Sequence, residues 1–314
     1  MNPHLVQTKD WSDFKNIYGT ISTNCENTYF TLHRIPIINK YYAYCPKVNP
    51  FEIDFKKLRK KLKEEKVIAI NFDRPNVYQE TKEAFDASKL FENNGCIPAF
   101  KDTYPPATIF LDITKNSDDL MKNFNTKHRY NINVAKRKNL VVKFDINEET
   151  IEEFFFLQKL TSKRQGYHTK PKSYFETLIK FYNKKNKCLL SNVYYENEPI
   201  ASWIFILEGD TAYYLYGGMN ENFSSLKPAN LLVWESILEL QKRGIKTLDF
   251  FGASEDLNNE KDPYYGFSIF KIRFGGKHFK YIKSYDLVID SFSYNLFNFA
   301  QKLRWFILNI MNKL

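Results

Sequence analysis

Paired cysteines are missing from this chain. The four present, Cys25, Cys45, Cys96 and Cys188, are scattered without a metal-ligand or framework spacing. That argues against a zinc site and a disulfide-stapled fold, and it fits a reducing compartment. Glycine and proline are scarce, at 11 and 12 of 314 residues, which excludes a collagen-like or low-complexity disordered chain. No stretch approaches the ~18–20 uninterrupted apolar residues needed to cross a bilayer. The opening Met-Asn-Pro-His-Leu-Val-Gln-Thr-Lys-Asp has no apolar core of the kind a signal peptide carries. A cytoplasmic location is expected.

Aromatic residues and positive charge are abundant. Phe 28 and Tyr 21 raise the aromatic share to 17% within an ordinary 43% hydrophobic content, so apolar area is ample and many hydroxyls can line a polar cleft. Lys+Arg 46 against Asp+Glu 36 leaves a net charge of +10. A surplus of that size suits an anionic partner, such as nucleic acid, nucleotide phosphate or an acidic membrane face, and equally suits simple solubility. The length is sufficient for two domains with separate cores.

The pattern along the chain is α/β, with no simple internal repeat. Tyr41–Cys45 reads as a strand, and residues 51–65 as a helix with Phe51, Phe55, Leu58 and Leu62 at helical spacing. Val67–Phe72 reads as a buried strand and residues 80–91 as a helix. Pro105-Pro106 marks a junction. Beyond it come a strand over 108–113, one long basic helix over 117–138, and helices over 148–164 and 172–185. A three-stranded meander over 187–217, a helix over 228–243 and a strand over 247–252 follow. The tail over 292–314 has Phe292, Leu296, Phe299, Leu303, Phe306 and Ile310 at three-four spacing. Such a helix closes a domain core or lies on a membrane face.

Six short motifs occur in sequence: Trp11-Ser12-Asp13-Phe14-Lys15, Asn71-Phe72-Asp73-Arg74-Pro75, Lys170-Pro171-Lys172-Ser173-Tyr174-Phe175, Tyr214-Leu215-Tyr216-Gly217-Gly218, Pro228–Glu235, and Phe270-Lys271 ahead of Phe274-Gly275-Gly276. Taken in this order they resemble the Fem-type (FemABX) peptidoglycan interpeptide-bridge aminoacyltransferases. The chain departs from that pattern at Asn71, at Ile68 and at Lys170, where a base with a bidentate fork is replaced by a point charge. The resemblance implies two tandem GNAT-like domains with mixed sheets flanked by helices. The first would span 1–107, completed by a C-terminal helix at 286–314, and the second 108–285. It also implies aminoacyl-tRNA as co-substrate, a UDP-linked or lipid-linked muropeptide as acceptor, no metal, no bound cofactor and a monomer that can touch the inner membrane face.

Within that resemblance Lys271 is the catalytic cation. A lysine of ordinary pKa is charged at neutral pH, so it suits an oxyanion stabiliser rather than a base. Asp73, at a strand end, is the candidate base for the attacking amine, with Glu255 and Asp256 as competitors. Lys15, Lys170, Tyr174, Tyr214 and Tyr216 are the expected acceptor-binding residues, and strand alternation places Tyr214 and Tyr216 on one face. Lys127, Arg129, Lys136 and Arg137 form the densest basic patch and could follow a tRNA backbone; His128 beside them reads as a surface residue. An acyl-CoA-dependent N-acyltransferase is the alternative enzyme, although Gln241-Lys242-Arg243-Gly244-Ile245-Lys246 lacks the last small residue of a pyrophosphate loop. A non-catalytic basic RNA- or membrane-binding module is the third reading.

Overall fold

In the computed structural model the described residues are 3–36 and 38–311, with side chains described through residue 303. The chain divides into two compact units, Met1–Pro106 with Lys280–Leu314, and Ala107–Phe279. In chain order the first holds α1 (Lys9–Ile17), β1 (Ser22–Cys25), β2 (Thr28–Ile35), β3 (Lys40–Pro46), α2 (Phe55–Glu64), β4 (Val67–Asp73), α3 (Lys82–Asn93) and β5 (Ile97–Pro98). The second holds β6 (Ala107–Asp112), α4 (Ser117–Asn123), α5 (Thr126–Arg137), β7 (Val141–Lys143), α6 (Glu148–Gln165) and α7 (Lys172–Asn183). It continues through β8 (Cys188–Tyr195), β9 (Glu198–Glu208), β10 (Thr211–Met219), α8 (Pro228–Lys242), β11 (Thr247–Asp249), α9 (Tyr265–Ile272) and β12 (Lys277–Lys280). The chain then returns to the first unit with β13 (Tyr285–Val288) and α10 (Ser291–Met311).

The first unit is built on a six-stranded mixed sheet ordered β1-β2-β3-β4-β13-β5. Its only parallel pair among the described strands is β3 with β4. Every residue of β4 is buried, as a continuous apolar run flanked on both sides requires. The return to this sheet begins at Lys280 and brings in a strand as well as a helix. Leu287, fully buried, pairs with Ile70, so β13 fills the place beside β4. Helix α2 starts later than its periodicity suggests: Pro50–Glu52 is a separate 3₁₀ turn and the Asp54 carboxylate caps Lys57 N at 2.9 Å, leaving Phe51 half exposed.

The second unit has a seven-stranded sheet ordered β12-β6-β11-β10-β9-β8-β7. Helices α6 and α7 cover one face; α5, α8 and α9 cover the other, around a core that includes Ile109, Phe124, Ile132, Trp203, Phe205, Leu231, Trp234 and Phe274. The single helix expected over 117–138 is two helices. Phe124 turns to an extended conformation and packs edge-on against Trp234 and Phe274. Asn125 then caps α5 by accepting from Lys127 N at 3.0 Å, while its own amide donates to Arg273 O at 2.8 Å.

Candidate active site

Lys271 occupies the buried side of α9. The helix carries Ser268 and Lys271 one turn apart on the same face, 0% and 7% exposed. Ser268 Oγ accepts from Ser254 N at 2.7 Å, and Ser254 Oγ donates to Asp262 Oδ2 at 2.6 Å, which pins the loop before the helix to it. Lys271 Nζ donates to Gly252 O at 2.7 Å and lies 5.6 Å from the centroid of the Tyr214 ring. The backbone aims that carbonyl by two left-handed steps, φ 50° at Phe251 and 104° at Gly252; the second is reserved for glycine. Burial pulls the Lys271 pKa from 10.5 down to about 8, against an upward pull from Asp249. The ammonium form still dominates at pH 7, by roughly ten to one.

Asp249 belongs to this arrangement although none of the sequence motifs singles it out. It is fully buried at the end of β11 and accepts from Thr108 Oγ1 and from Phe251 N, the latter at 2.8 Å. It thereby fixes the turn that presents Gly252 O. A desolvated cation held by a fixed carbonyl and an aromatic face, with further N–H donors on the same nitrogen, can stabilise an oxyanion formed beside it.

Strand alternation fails between Tyr214 and Tyr216. A bulge leaves Leu215 extra, with Tyr214 opposite Phe205 and Tyr216 opposite Ile204. Neighbouring residues on β9 point to opposite faces, so the two tyrosines do as well. Tyr214 stacks on Trp203 with centroids 4.2 Å apart, on the Lys271 side. Tyr216 turns to α7, its hydroxyl 3.1 Å from that of Tyr174 and its ring 5.1 Å from Phe175. Lys170 Nζ lies 5.8 Å from the Tyr174 ring. Burial raises the pKa of both Tyr214 and Tyr216, so both stay neutral donors. The two glycines serve one face each: a Cβ on Gly217 would meet Tyr214 Oη and the Trp203 ring, and one on Gly218 the backbone of Leu157 and Gln158.

In the first unit, Asp73 is fully buried and its carboxylate is occupied. Oδ2 accepts from Tyr44 Oη at 2.5 Å, Tyr104 N at 2.8 Å and Thr103 N at 3.0 Å; Oδ1 accepts from Ser284 Oγ at 2.9 Å. Those donors tie together the end of β4, the 102–104 segment and the returning chain. Lys15 sits in the last turn of α1, half-buried, with Nζ 5.9 Å from the Trp11 ring. Glu255 and Asp256 are exposed on the loop after Gly252.

The basic patch is less uniform than its sequence. Arg129 Nη1 donates to Lys122 O and Phe124 O, both at 2.9 Å, closing the C-terminus of α4. Lys136 pairs with Glu235 at 3.5 Å, whereas Lys127 and Arg137 are exposed. His128 is not a surface residue: it is 3% exposed, its Nε2 donates to Phe270 O at 2.9 Å and its ring packs on Phe270 and Phe274. Burial lowers its pKa, which keeps the imidazole neutral. His128 therefore braces the residue preceding Lys271. It lines a cavity of ≈ 390 Å³ with Lys127, Asn131, Asn230, Tyr265 and Arg273 among its walls.

Several known proteins are similar to this chain. The lipid II:glycine glycyltransferase of Staphylococcus epidermidis is 21% identical over 382 residues, covering 94% of this chain and 90% of that protein. Its counterpart in Staphylococcus aureus is 22% identical over 304 residues, covering 74% and 72%. The crystal structure of FemX superposes with a TM-score of 0.80 at 18% identity, over 95% of each chain. A tandem GNAT protein from the clavulanic acid biosynthesis pathway matches at 0.52 and 8% identity, covering 83% of this chain and 79% of that one. The fold is thus the paired GNAT-like one, and the chain is an aminoacyltransferase. The FemAB family profile matches residues 26–198 and 189–302, nearly the whole of the described sequence, and the chain belongs to the FemAB family.

Proposed function

We propose that this protein builds the interpeptide bridge of peptidoglycan by moving an amino acid from aminoacyl-tRNA to the peptide amine of a lipid-linked precursor. The staphylococcal relatives are named for lipid II as acceptor, which favours the lipid-linked over the UDP-linked form. The observation that carries the reading is the buried Lys271 ammonium, held between Gly252 O and the Tyr214 ring.

In the reaction the acceptor amine attacks the ester carbonyl of the charged tRNA. The C–N bond forms and the bond to the ribose oxygen breaks; the amine gives up a proton and the departing ribose hydroxyl gains one. Negative charge collects on the carbonyl oxygen between these events. Lys271 stabilises it by turning an N–H from Gly252 O, or a second N–H, toward that oxygen. Lys170, Tyr174 and Tyr216 supply a cation and two linked hydroxyls for the acceptor, and Lys15 keeps the acceptor-binding role that the family resemblance implies for it. Asp73 is assigned to the framework rather than to proton transfer, since four donors already claim its carboxylate. Lys127 and Arg137 are the exposed cations left for tRNA phosphates.

The acyl-CoA alternative gains no support from the segment nearest to a pyrophosphate loop. The amides of Arg243, Gly244 and Ile245 donate to carbonyls of α8, and Gly244 at φ 77° terminates that helix. The deciding experiment incubates the protein with charged tRNA and either acceptor and follows acceptor mass. One added amino acid is expected, absent with uncharged tRNA, and lost in Lys271→Met while tRNA binding persists. Transfer that survives Lys271→Met, or that runs on acetyl-CoA instead, overturns the reading.

A further inference from the structure

Helix α10 presents two apolar faces, and only one of them is packed. On the inner face Tyr294 is 5% exposed, its hydroxyl donates to Asp286 Oδ2 at 2.6 Å, and its ring joins Ile68 and Ala69. Phe297 stacks on Tyr42 with centroids 5.1 Å apart. At its start, Asp290 accepts from Ser293 N at 3.1 Å and pairs with Lys40 at 2.5 Å. The helix is therefore anchored to the first unit.

Its outer face carries Phe292, Leu296, Phe299 and Leu303, which are 81%, 49%, 65% and 50% exposed. The steps of four, three and four put all four on one stripe about 16 Å long. Single exposed apolar residues need no explanation, but a continuous line of four large ones does. Phe100, 38% exposed, lies beside it, with Lys302 Nζ 5.5 Å from its ring. The side chains of Trp305, Phe306, Ile307, Leu308 and Ile310, which the sequence pattern includes, lie outside the described residues.

Charge selects the occupant. The sequence of α10 contains no aspartate or glutamate and does contain Lys302 and Arg304, on a chain of net charge +10. Two copies pairing through the stripe would bring like-charged helices together with no helix carboxylate between them. An apolar line flanked by Lys302 instead matches an anionic bilayer surface, where hydrocarbon takes the stripe and headgroups the lysine. No helix among the described residues is long and apolar enough to cross a membrane, so the contact lies in the plane of the interface. We propose that α10 docks the first unit onto an anionic membrane surface through Phe292, Leu296, Phe299 and Leu303. This extends the lipid-linked acceptor reading by naming the surface that would bring the enzyme to such an acceptor.

The test is flotation of the full chain with vesicles of phosphatidylglycerol and phosphatidylcholine, and with phosphatidylcholine alone, neither containing acceptor or tRNA. The wild type is expected to float with the anionic vesicles, more weakly with neutral ones and at high salt. The variant Phe292→Gln/Phe299→Gln/Leu303→Gln, altered only at exposed positions, should melt as the wild type does and bind about tenfold or more weakly. Equal flotation of the two proteins, or none of the wild type, refutes the proposal. So does a wild-type dimer in light scattering that the variant converts to monomer without any flotation. Transfer to the lipid-linked precursor solubilised in detergent, measured in parallel, should be unchanged by the variant. Its absence in both proteins would sink the functional reading while leaving the vesicle result to stand alone.

Discussion

Lys271→Met should make the protein more stable at neutral pH while removing its activity. The side chains are similar in length, but only lysine carries charge into a site that is 7% exposed. A lysine whose folded pKa lies below its unfolded one destabilises the fold fully below the folded value and is relieved as pH rises toward the unfolded value. The interval from about 8 to 10.5 corresponds to about 3 kcal/mol. Losing the bond to Gly252 O returns about 1 kcal/mol of that. A net gain of about 2 kcal/mol is expected at pH 7, or roughly 4–8 °C in the midpoint of a unit of this size. The assay is paired urea unfolding of both proteins from pH 7 to pH 10.5. The advantage of Lys271→Met should shrink across the window and reverse near its top, where the wild-type amine is neutral and keeps its hydrogen bond. The difference between the two curves cancels the many other groups that titrate there. A variant that is less stable at pH 7, by an amount flat with pH, would show that Lys271 is not a strained cation. The same ionisation should appear in catalysis: transfer by the wild type should fall above a pH of about 8, as the ammonium needed at the oxyanion is lost.

Asp73→Asn should cost ~2–4 kcal/mol in urea unfolding, because an amide nitrogen is placed against donors, yet leave transfer per folded molecule near the wild-type rate; unchanged stability with a ~10²-fold slower reaction would restore Asp73 as the base. Gly218→Ala should lower stability by ~1–3 kcal/mol, since its Cβ would lie 2.3 Å from the backbone of Leu157 and Gln158 on α6, and a helix backbone yields little; a thermal midpoint equal to wild type refutes the close approach. Arg129→Ala should cost ~1 kcal/mol through the lost closure of α4 and leave the salt dependence of tRNA binding nearly intact, whereas Lys127→Ala should reduce its slope.

What could be read in the sequence was whatever depends on neighbours a few residues away. The buried run of β4, the meander of β8 to β10 and the cap of α8 at Gly244 follow from apolar period and turn residues. The split between α4 and α5 does not, because an unbroken helical pattern runs through Phe124. The helix stops there to seat that ring between Trp234 and Phe274, both far along the chain. The bulge at Leu215 is hidden for the same reason, and without it the faces of Tyr214 and Tyr216 are inverted relative to each other. Charged side chains suffer most. Asp73 reads as a base because strand-end acids in clefts often are, and only Tyr44, Ser284, Thr103 and Tyr104 show that its lone pairs are spent. Arg129 is the exception that locates the limit: its acceptors lie five and seven residues before it, so a helix end just upstream would have exposed its role. Lys271 combines both cases. Its position ahead of Phe274-Gly275-Gly276 is plain in the sequence, but its lowered pKa comes from burial in the folded unit. The order of residues singles out Lys271 as the candidate cation; only the tertiary fold sets the pH range over which it keeps its charge.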